Sequence, residues 1–551
     1  MSPSEYPAVN TSRAMQALLV VIIALALLAS SRLQGLLLNT ALLSIGTLAI
    51  ALPLGAIFGL AIAKIDLPGF RALAWLLAAL LFVPLYVQAT AWSGAFGTGG
   101  WLTQWLAGET YASPWLAGWR GAIWIHAMGA IPWIALLGAA SLRTVERRLE
   151  EESLLDASPP AVLVHVSLPR GAGGFWAGAI WVVIVCATEI AVTDLFQIRT
   201  FAEEIYTEAT LGPLGALPDG LLSSDLAVGV AIIAAVVGVA LLLTLPWLPM
   251  AATVAVEQPW KWRPRPAARW WIAGSIWLLA GLMLAPPLAS LIWKSGIAVA
   301  QHDGGFKRSW SLAKAVAMVA HSPWEHRREW GWSLMIGVMA MAATTSLGIL
   351  LAWLAGRPRW GWGLAAAVTL AIAVPAPLWG VWAIDLLNHP PNSVWAPLTV
   401  LYDRTLFAPA ALQTIRALPI VGLWLWSQLA SVPRDLLEAA RSEGAGPVAR
   451  LYRVALPLRR WSVAAGAGMA LVLAMGELSA SLLVLPPGVT TISVRIFQLL
   501  HYGVDDRVAA LALSVFAAMT ALAALTAVVV AGRRRHAPAA IGSETDFTAS
   551  Q

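Results

Sequence analysis

Long apolar stretches separated by short polar segments run through almost the whole chain. A helix needs about twenty consecutive apolar residues to cross roughly 30 Å of hydrocarbon. Twelve stretches meet that length and predict an all-α polytopic protein with about twelve transmembrane helices in a lipid bilayer. The predicted spans are 14–31, 36–63, 70–96, 121–142, 174–195, 225–250, 270–293, 331–355, 361–386, 408–430, 461–485 and 508–532.

The most polar connecting segment, residues 431–457, lies between the tenth and eleventh spans and reads SVPRDLLEAARSEGAGPVARLYRVALP. We call it the second island. Pro433 suits a first helical turn, and Asp435 and Glu438 favour the positive end of the helix dipole. Gly444 can end the helix in a left-handed conformation. The pattern predicts a helix of about three turns at the membrane surface.

The two halves of the chain repeat the same spacing of proline and glutamate. Pro132 precedes Glu151 by 19 residues, and Pro419 precedes Glu438 by the same interval. Each half holds six predicted spans, so the halves share one orientation. The intervals predict a first repeat over 1–250, a linker over 251–269, a second repeat over 270–535 and a disordered tail over 536–551.

A degenerate copy of the polar island, residues 144–170, occupies the same place in the first half; we call it the first island. Glu151 matches Glu438, whereas Ala157 stands where the second island has Gly444. Each island ends in a Leu-Pro pair. Taken singly, either island is also explained as an amphipathic surface loop whose glutamate pairs with an arginine at helical spacing.

The islands resemble the EAA loop in the membrane subunits of ABC importers, where this loop is the coupling helix that docks into a cytoplasmic ATPase. The resemblance implies the type I ABC importer permease fold, two copies of an ABC ATPase subunit as partners, and an extracytoplasmic solute-binding protein. It also implies a bacterial inner membrane location. The ATPase-coupling residues are then Glu438, Ala439, Ala440, Gly444, Leu456 and Pro457, with Glu151, Ala157, Leu168 and Pro169 in the first island.

Composition excludes several other classes of protein. With 59% hydrophobic and 12% charged residues the chain is not an ordinary soluble domain, and the single cysteine, Cys186, excludes an intramolecular disulfide or a Cys-based metal cluster. The basic residues lie beside span ends rather than in one patch, which argues against nucleic acid. Their distribution places the linker and both termini in the cytoplasm under the positive-inside rule.

The chain carries no sequence motif of a catalytic site. It lacks the Gly-x-x-x-x-Gly-Lys-Ser/Thr phosphate loop, H-E-x-x-H and G-x-S-x-G. We therefore expect a transport subunit that is not an enzyme and that holds no cofactor. ATP and Mg²⁺ are expected on the partner ATPase.

Glu189 and Glu477 each follow the Leu-Pro pair of their island, 20 residues after the proline, and fall inside a predicted span. A bare carboxylate in hydrocarbon is costly, so each should face the bundle interior, a water-filled path or a hydrogen-bond partner. A pathway residue and a helix-packing hydrogen bond both explain them. Thr200 and Thr491 align in the outer segments that follow and are further pathway candidates. Arg416, Asp194 and Asp385 fall near outer span ends, which favours snorkelling or simple solvation over a functional role.

The segments TEIAVTDLFQIRTFAEEIY and GELSASLLVLPPGVTTISVRIFQLLHYG resemble fused, two-EAA permeases of the iron(III) importer type. The resemblance implies iron(III) as solute, and the oxygen-rich group of Glu203, Glu204 and Tyr206 suits a hard cation. A solvated acidic rim explains the same residues. Permeases for thiamine, polyamines or inorganic anions remain alternatives. Further alternatives are a twelve-helix secondary transporter and, less favoured, a membrane-embedded enzyme.

Overall fold

The computed structural model describes residues 30–98, 100–107, 114–211, 224–244, 259–302, 305–355, 368, 371–503 and 505–531. The main helices described in the first half are α1 Ser31–Lys64, α2 Phe70–Leu80, α3 Leu85–Phe96, α4 Trp101–Ala107, α5 Gly118–Leu142, α6 Arg147–Ser153, α7 Ala172–Thr188, α8 Ala191–Leu195, α9 Phe201–Leu211 and α10 Ser224–Thr244.

The second half begins with α11 Pro266–Gly296, followed by the strands β1 Ile297–His302 and β2 Gly305–Trp310. Its remaining helices are α12 Leu312–Glu325, α13 Arg327–Ala355, α14 Ala376–Leu387, α15 Ala396–Arg404, α16 Phe407–Ala430, α17 Arg434–Ser442, α18 Leu456–Gly476, α19 Ile492–Leu500 and α20 Asp506–Ala531.

The protein is helical and polytopic, as the apolar pattern predicts. Among the described residues, five helices are long and apolar enough to cross a bilayer, or up to seven if each of two bent helix pairs counts as one span. Most of the predicted span 14–31, and the beginning of span 361–386, lie outside the described residues. The total of twelve spans stays a prediction.

Each half is built around three packed helices in corresponding order. In the first half α1 packs against α5 and α7, and in the second half α13 packs against α16 and α18. Close approach depends on small residues: a Cβ at Gly138 of α5 would lie 2.1 Å from Phe175 Cε1 of α7. Helix pairs in membranes gain stability from such contacts because lipid supplies no hydrophobic driving force between them.

Two predicted spans are broken where a proline interrupts the helical hydrogen bonds. The sequence pattern predicts a continuous helix over 70–96, but α2 ends at Leu80, and Pro84 is the N-cap of α3. The axis turns by 104° between α2 and the helical segment that begins at Leu85. Pro375 is likewise the N-cap of α14. Proline has no N–H to donate and disfavours a helical conformation in the preceding residue, so the helix ends there.

The two halves interlock instead of lying side by side. Helix α9 of the first half packs on α14 of the second, and α19 of the second half packs on α3 of the first. Helix α11, the first of the second half, contacts α3 as well as α20. Its residues Ala273, Ile276 and Ala280 belong to the main apolar cluster of the first half.

The segment between α11 and α13 departs from a purely helical pattern. Strands β1 and β2 form an antiparallel hairpin in which Ile297 lies opposite Trp310. Helix α12 follows, capped by the Ser311 side chain, which accepts a hydrogen bond from the Lys314 N–H. Lys314 Nζ lies 2.6 Å from Asp506 Oδ2, which ties this segment to the start of α20.

Candidate functional site

The second island forms the predicted surface helix. Helix α17 starts after Pro433, and Gly444 closes it with φ +83°. The Ala445 N–H donates to Ala440 O at 2.9 Å, and the Gly444 N–H donates to Arg441 O at 3.0 Å. This pair of bonds is the Schellman arrangement, in which a left-handed residue satisfies the last carbonyls of a helix. Nine residues, or about two and a half turns, are helical.

This island presents its surface to solvent. No residue of α17 is buried, and Glu438, Ala439 and Gly444 are exposed. Two large apolar side chains beyond the helix are also exposed: Val448 at 66% and Tyr452 at 64%. Exposed apolar groups therefore lie beside charged ones on the surface of the second island.

The first island has the same order of elements but ends its helix differently. Helix α6 stops at Ser153, and exposed Ala157 has no left-handed backbone. An alanine disfavours that conformation, so the Schellman closure of the second island is not reproduced. Glu151 is exposed and pairs with Arg147 at 2.6 Å, at helical spacing.

Both islands enter the next membrane helix through a π-helical turn. The turns are Leu163–Ser167 and Leu451–Ala455, each directly before its Leu-Pro pair. Pro169 and Pro457 lack the N–H that an α-helix would use there, and a wider turn accommodates that loss. Leu168 and Leu456 are half-buried, whereas both prolines are exposed.

A buried ion pair lies beneath the first island. Lys64 Nζ is 2.5 Å from Glu150 Oε1, and both side chains are fully buried. The Ser167 hydroxyl donates to the same carboxylate at 2.6 Å. The motif comparison drew attention to Glu151 and missed its neighbour. In the sequence, a lysine ends an apolar run and three glutamates stand in a row. This pattern does not show which glutamate pairs with the lysine.

Glu189 and Glu477 both cap a break in a membrane helix. Helix α7 ends at Thr188 and α18 ends at Gly476, so the predicted spans 174–195 and 461–485 are not continuous. Glu189 Oε1 accepts the Ala191 N–H at 2.6 Å, and Glu477 Oε1 accepts the Ala480 N–H at 2.8 Å.

The second carboxylate oxygen is also engaged in each case. Glu189 Oε2 accepts the Val192 N–H at 3.1 Å. Glu477 Oε2 accepts the Ser481 N–H at 3.0 Å and the Ser481 hydroxyl at 2.6 Å. A carboxylate at the amino end of a helical turn satisfies otherwise unpaired N–H groups and the local dipole. This explains how a carboxylate is accommodated at a break in a long apolar helix.

Polar side chains from α5 and α16 extend these two caps. His126 Nε2 lies 3.6 Å from Glu189 Oε2, and Gln413 Nε2 donates to Ser481 Oγ at 3.4 Å. The two side chains correspond, because each stands six residues before the shared proline of its helix, Pro132 or Pro419. His126 Nε2 and Gln413 Oε1 have no hydrogen-bond partner within the described part of the chain.

Arg416 joins the two halves at this level. Its guanidinium donates to Thr188 Oγ1 of the first half at 3.3 Å, and the side chain is partly buried. The expectation of simple solvation at an outer span end is therefore wrong for Arg416. Asp194 is also engaged, since its carboxylate lies 3.0 Å from His501 Nε2. Asp385 is exposed.

Thr200 and Thr491 occupy corresponding places, and both are buried helix-capping residues. The Thr200 hydroxyl accepts the Glu203 N–H at 3.3 Å, and the Thr491 hydroxyl accepts the Val494 N–H at 3.4 Å. In each half the N–H of the residue after this threonine donates to a hydroxyl group on α1 or on α13. Phe201 N donates to Thr40, and Ile492 N donates to Ser333.

The acidic segment that follows Thr200 is engaged with arginines. Glu204 pairs with Arg32 and, at 3.5 Å, with Arg199. Glu203 Oε1 accepts the Thr207 hydroxyl at 2.6 Å, and Tyr206 is half-buried. Within the described residues, no group of three or more His, Cys, Asp or Glu side chains is arranged to hold a metal ion.

Comparison with known proteins points to transport. Over 76 residues the chain is 46% identical to a Salmonella paratyphi A protein provisionally named 2-aminoethylphosphonate transport system permease protein PhnV. Over 75 residues it is 41% identical to the Salmonella typhimurium protein of the same name. Each match covers 14% of this chain and 28% of the relative, so the chain spans little more than a quarter of their length.

A longer and more distant match extends the similarity. Over 197 residues the chain is 26% identical to the putrescine transport system permease protein PotI of Escherichia coli, covering 34% of this chain and 67% of PotI. No protein-family model matches the chain. Over parts of its length, this helical membrane protein is similar to permease proteins of bacterial solute-transport systems.

Proposed function

We propose that the chain is the membrane-spanning permease subunit of an ATP-driven ABC importer in a bacterial inner membrane. One observation carries the proposal: two polar islands of the same build stand at corresponding places between packed membrane helices. Each consists of a surface helix, a π turn and a Leu-Pro entry into the next helix. The similarity to transport-system permeases supports the same conclusion.

The proposed partners follow from this role. Each island docks one copy of a cytoplasmic ATPase, which binds ATP and Mg²⁺, and an extracytoplasmic binding protein delivers the solute. The interior polar groups around Glu189, Glu477 and Arg416 lie where the two halves meet and are the proposed lining of the path, together with Thr200 and Thr491. The termini are proposed to be cytoplasmic.

A small aliphatic amine is the favoured class of solute. Both solutes in the relatives' names, 2-aminoethylphosphonate and putrescine, carry a primary amine. Iron(III), which the fused two-island architecture favours, is the second candidate. The acidic outer segment gives iron little support, because arginines already neutralise Glu204.

The docking role is tested by recovery of the ATPase with the purified chain. Glu438→Lys combined with Gly444→Val should release the ATPase, because the pair alters an exposed surface and the helix closure. Glu151→Lys combined with Ala157→Val should release less, since the first island already lacks that closure. Full recovery with the Glu438 and Gly444 changes would refute the proposal.

The solute is tested by uptake into vesicles that contain the chain, its ATPase and its binding protein. We expect ATP-dependent uptake of putrescine or 2-aminoethylphosphonate, and no uptake when the binding protein is omitted. Uptake of iron(III) alone would select the second candidate. Uptake driven by a pH or sodium gradient without ATP would instead identify a secondary transporter.

A further inference from the structure

The Lys64–Glu150–Ser167 cluster joins three separate segments below the first island. Lys64 is the last residue of α1, Glu150 lies in α6, and Ser167 is the last residue of the π turn. All three are fully buried. The Lys64 ammonium lies 2.8 Å from Glu150 Oε2 as well as 2.5 Å from Oε1. The Glu150 carboxylate thereby links the first helix of the island to the π turn at the end of the island and to α1 of the membrane domain.

A buried charge depends on its partner much more than an exposed one does. Removing one member leaves the other without solvent or counterion, which is strongly destabilising, whereas replacing both by apolar groups is often neutral. The other ion pairs of α6, Arg147–Glu151 and Arg148–Glu152, are exposed at 45% or more on both side chains and contribute little. Among the described residues, Glu150 therefore makes the buried ion pair of α6.

The second half holds its island with apolar contacts at the corresponding places. Since Glu151 corresponds to Glu438, the preceding residues Glu150 and Leu437 also correspond. Ala455 is the last residue of the second π turn, as Ser167 is of the first. Leu437 and Ala455 belong to one apolar cluster.

Trp353 of the same cluster corresponds to Lys64. Gly59 on α1 faces Ala135 of α5, and Gly348 on α13 faces Gly422 of α16, at matching positions. Lys64 and Trp353 each follow that glycine by five residues. The polar cluster is thus a feature of the first half alone.

The linker between the halves is hydrogen-bonded to the end of α1, next to the Lys64–Glu150–Ser167 cluster. The Trp262 N–H donates to Lys64 O at 2.8 Å, and the Asp66 N–H donates to Trp262 O at 2.9 Å. Arg269, in the first turn of α11, lies 3.2 Å from Asp66 Oδ1. The end of α1 therefore contacts both the first island and the linker.

We propose that Glu150 is a positioning residue for partner docking. Through Lys64 and Ser167 it holds the first island as a rigid surface beside the end of α1, where the linker is also bound. The role in docking rests on the proposed function; the rigidity of the first island does not.

Rigidity is tested by hydrogen exchange of the purified full chain in detergent, without any partner. Glu150→Leu should accelerate exchange of the amides over 147–170 by roughly a hundredfold or more, because Lys64 is left unpaired. Glu150→Leu with Lys64→Met should restore slow exchange, since the second half shows that apolar groups suit this place. Glu152→Gln, on the same helix, is the matched control and should leave exchange unchanged. Wild-type exchange in Glu150→Leu, or failure of the double variant to restore it, would overturn the proposal.

Docking is tested separately by titrating the ATPase against each variant. Glu150→Leu should weaken binding about tenfold or more, because the partner must then order the island, and the double variant should recover the affinity. Unchanged affinity of Glu150→Leu, despite faster exchange, would overturn the docking part. If the wild-type chain binds no ATPase, the proposed function fails while the exchange result still decides whether Glu150 fixes the island.

Discussion

Single carboxylates show how this protein accommodates acidic side chains at breaks in its apolar helices. Glu189 and Glu477 were predicted from their interval after Leu-Pro, and each satisfies the N–H groups of a helical break. Since both oxygens of each carboxylate accept backbone N–H groups, a glutamine is not an equivalent replacement. An amide offers one acceptor oxygen and turns an NH₂ group toward an N–H.

We therefore predict that Glu189→Gln and Glu477→Gln each lower the free energy of unfolding by about 1–2 kcal/mol, because a charge-assisted cap is lost. The measurement is unfolding of the purified chain in a denaturing-detergent titration. Glu208→Gln, on an exposed carboxylate, is the control and should change it by less than about 0.5 kcal/mol. Wild-type stability in both variants would contradict the capping role.

At the scale of elements, particular prolines and glycines mark where a helix breaks, widens or closes. Pro84 and the two Leu-Pro pairs mark breaks or π turns, and Gly444 closes α17. The left-handed glycine was predictable because its requirement is local. The π turns were not, because whether the chain breaks or widens at a proline depends on what packs around it.

Gly444→Ala should destabilise the second island by about 1 kcal/mol, since φ +83° is strained for an alanine. Gly446→Ala is the matched control. A Cβ would meet nothing within 4 Å at either position, but Gly446 has φ −65°, which an alanine adopts freely. Hydrogen exchange over 434–446 measures the difference. Equal exchange in the two variants would show that the backbone conformation at Gly444 does not matter.

At the scale of the whole molecule, contacts between the halves determine how they work together. Helices α9 and α19 each pack on the opposite half, and Arg416 reaches Thr188 across the interface. No spacing rule would have paired Arg416 with Thr188, because the corresponding position in the first half is Gly129.

A double-mutant cycle of Arg416→Met and Thr188→Val should give a coupling free energy of about 0.5–1.5 kcal/mol, the range of hydrogen bonds between membrane helices. Unfolding in a denaturing-detergent titration supplies the four values. Additive single changes would mean that the two side chains do not interact.

The energy source is also a property of the whole assembly. Reconstituted alone in liposomes, the chain should not hydrolyse ATP, because its sequence has no phosphate loop. It should also not accumulate solute in response to a pH or sodium gradient, because its sequence has no evident midplane cluster of ionisable residues for ion coupling. Adding the ATPase and the binding protein should produce ATP-dependent uptake. Phosphate release and labelled-solute uptake are the two measurements, and gradient-driven accumulation by the chain alone would contradict the importer.

The sequence by itself determined the helical membrane class, the two islands, the left-handed Gly444 and the paired places of Glu189 and Glu477. Hydropathy, turn preference and repeated intervals are local or periodic properties, so they can be read without a fold. Only the tertiary structure decided that Glu150, and not Glu151, holds the first island, that Arg416 faces the other half, and that arginines neutralise Glu204. Burial and pairing depend on segments that are far apart in the chain. Lys64 at the end of α1 reaches Glu150 in α6 because α1 packs along α5, and α6 directly follows α5.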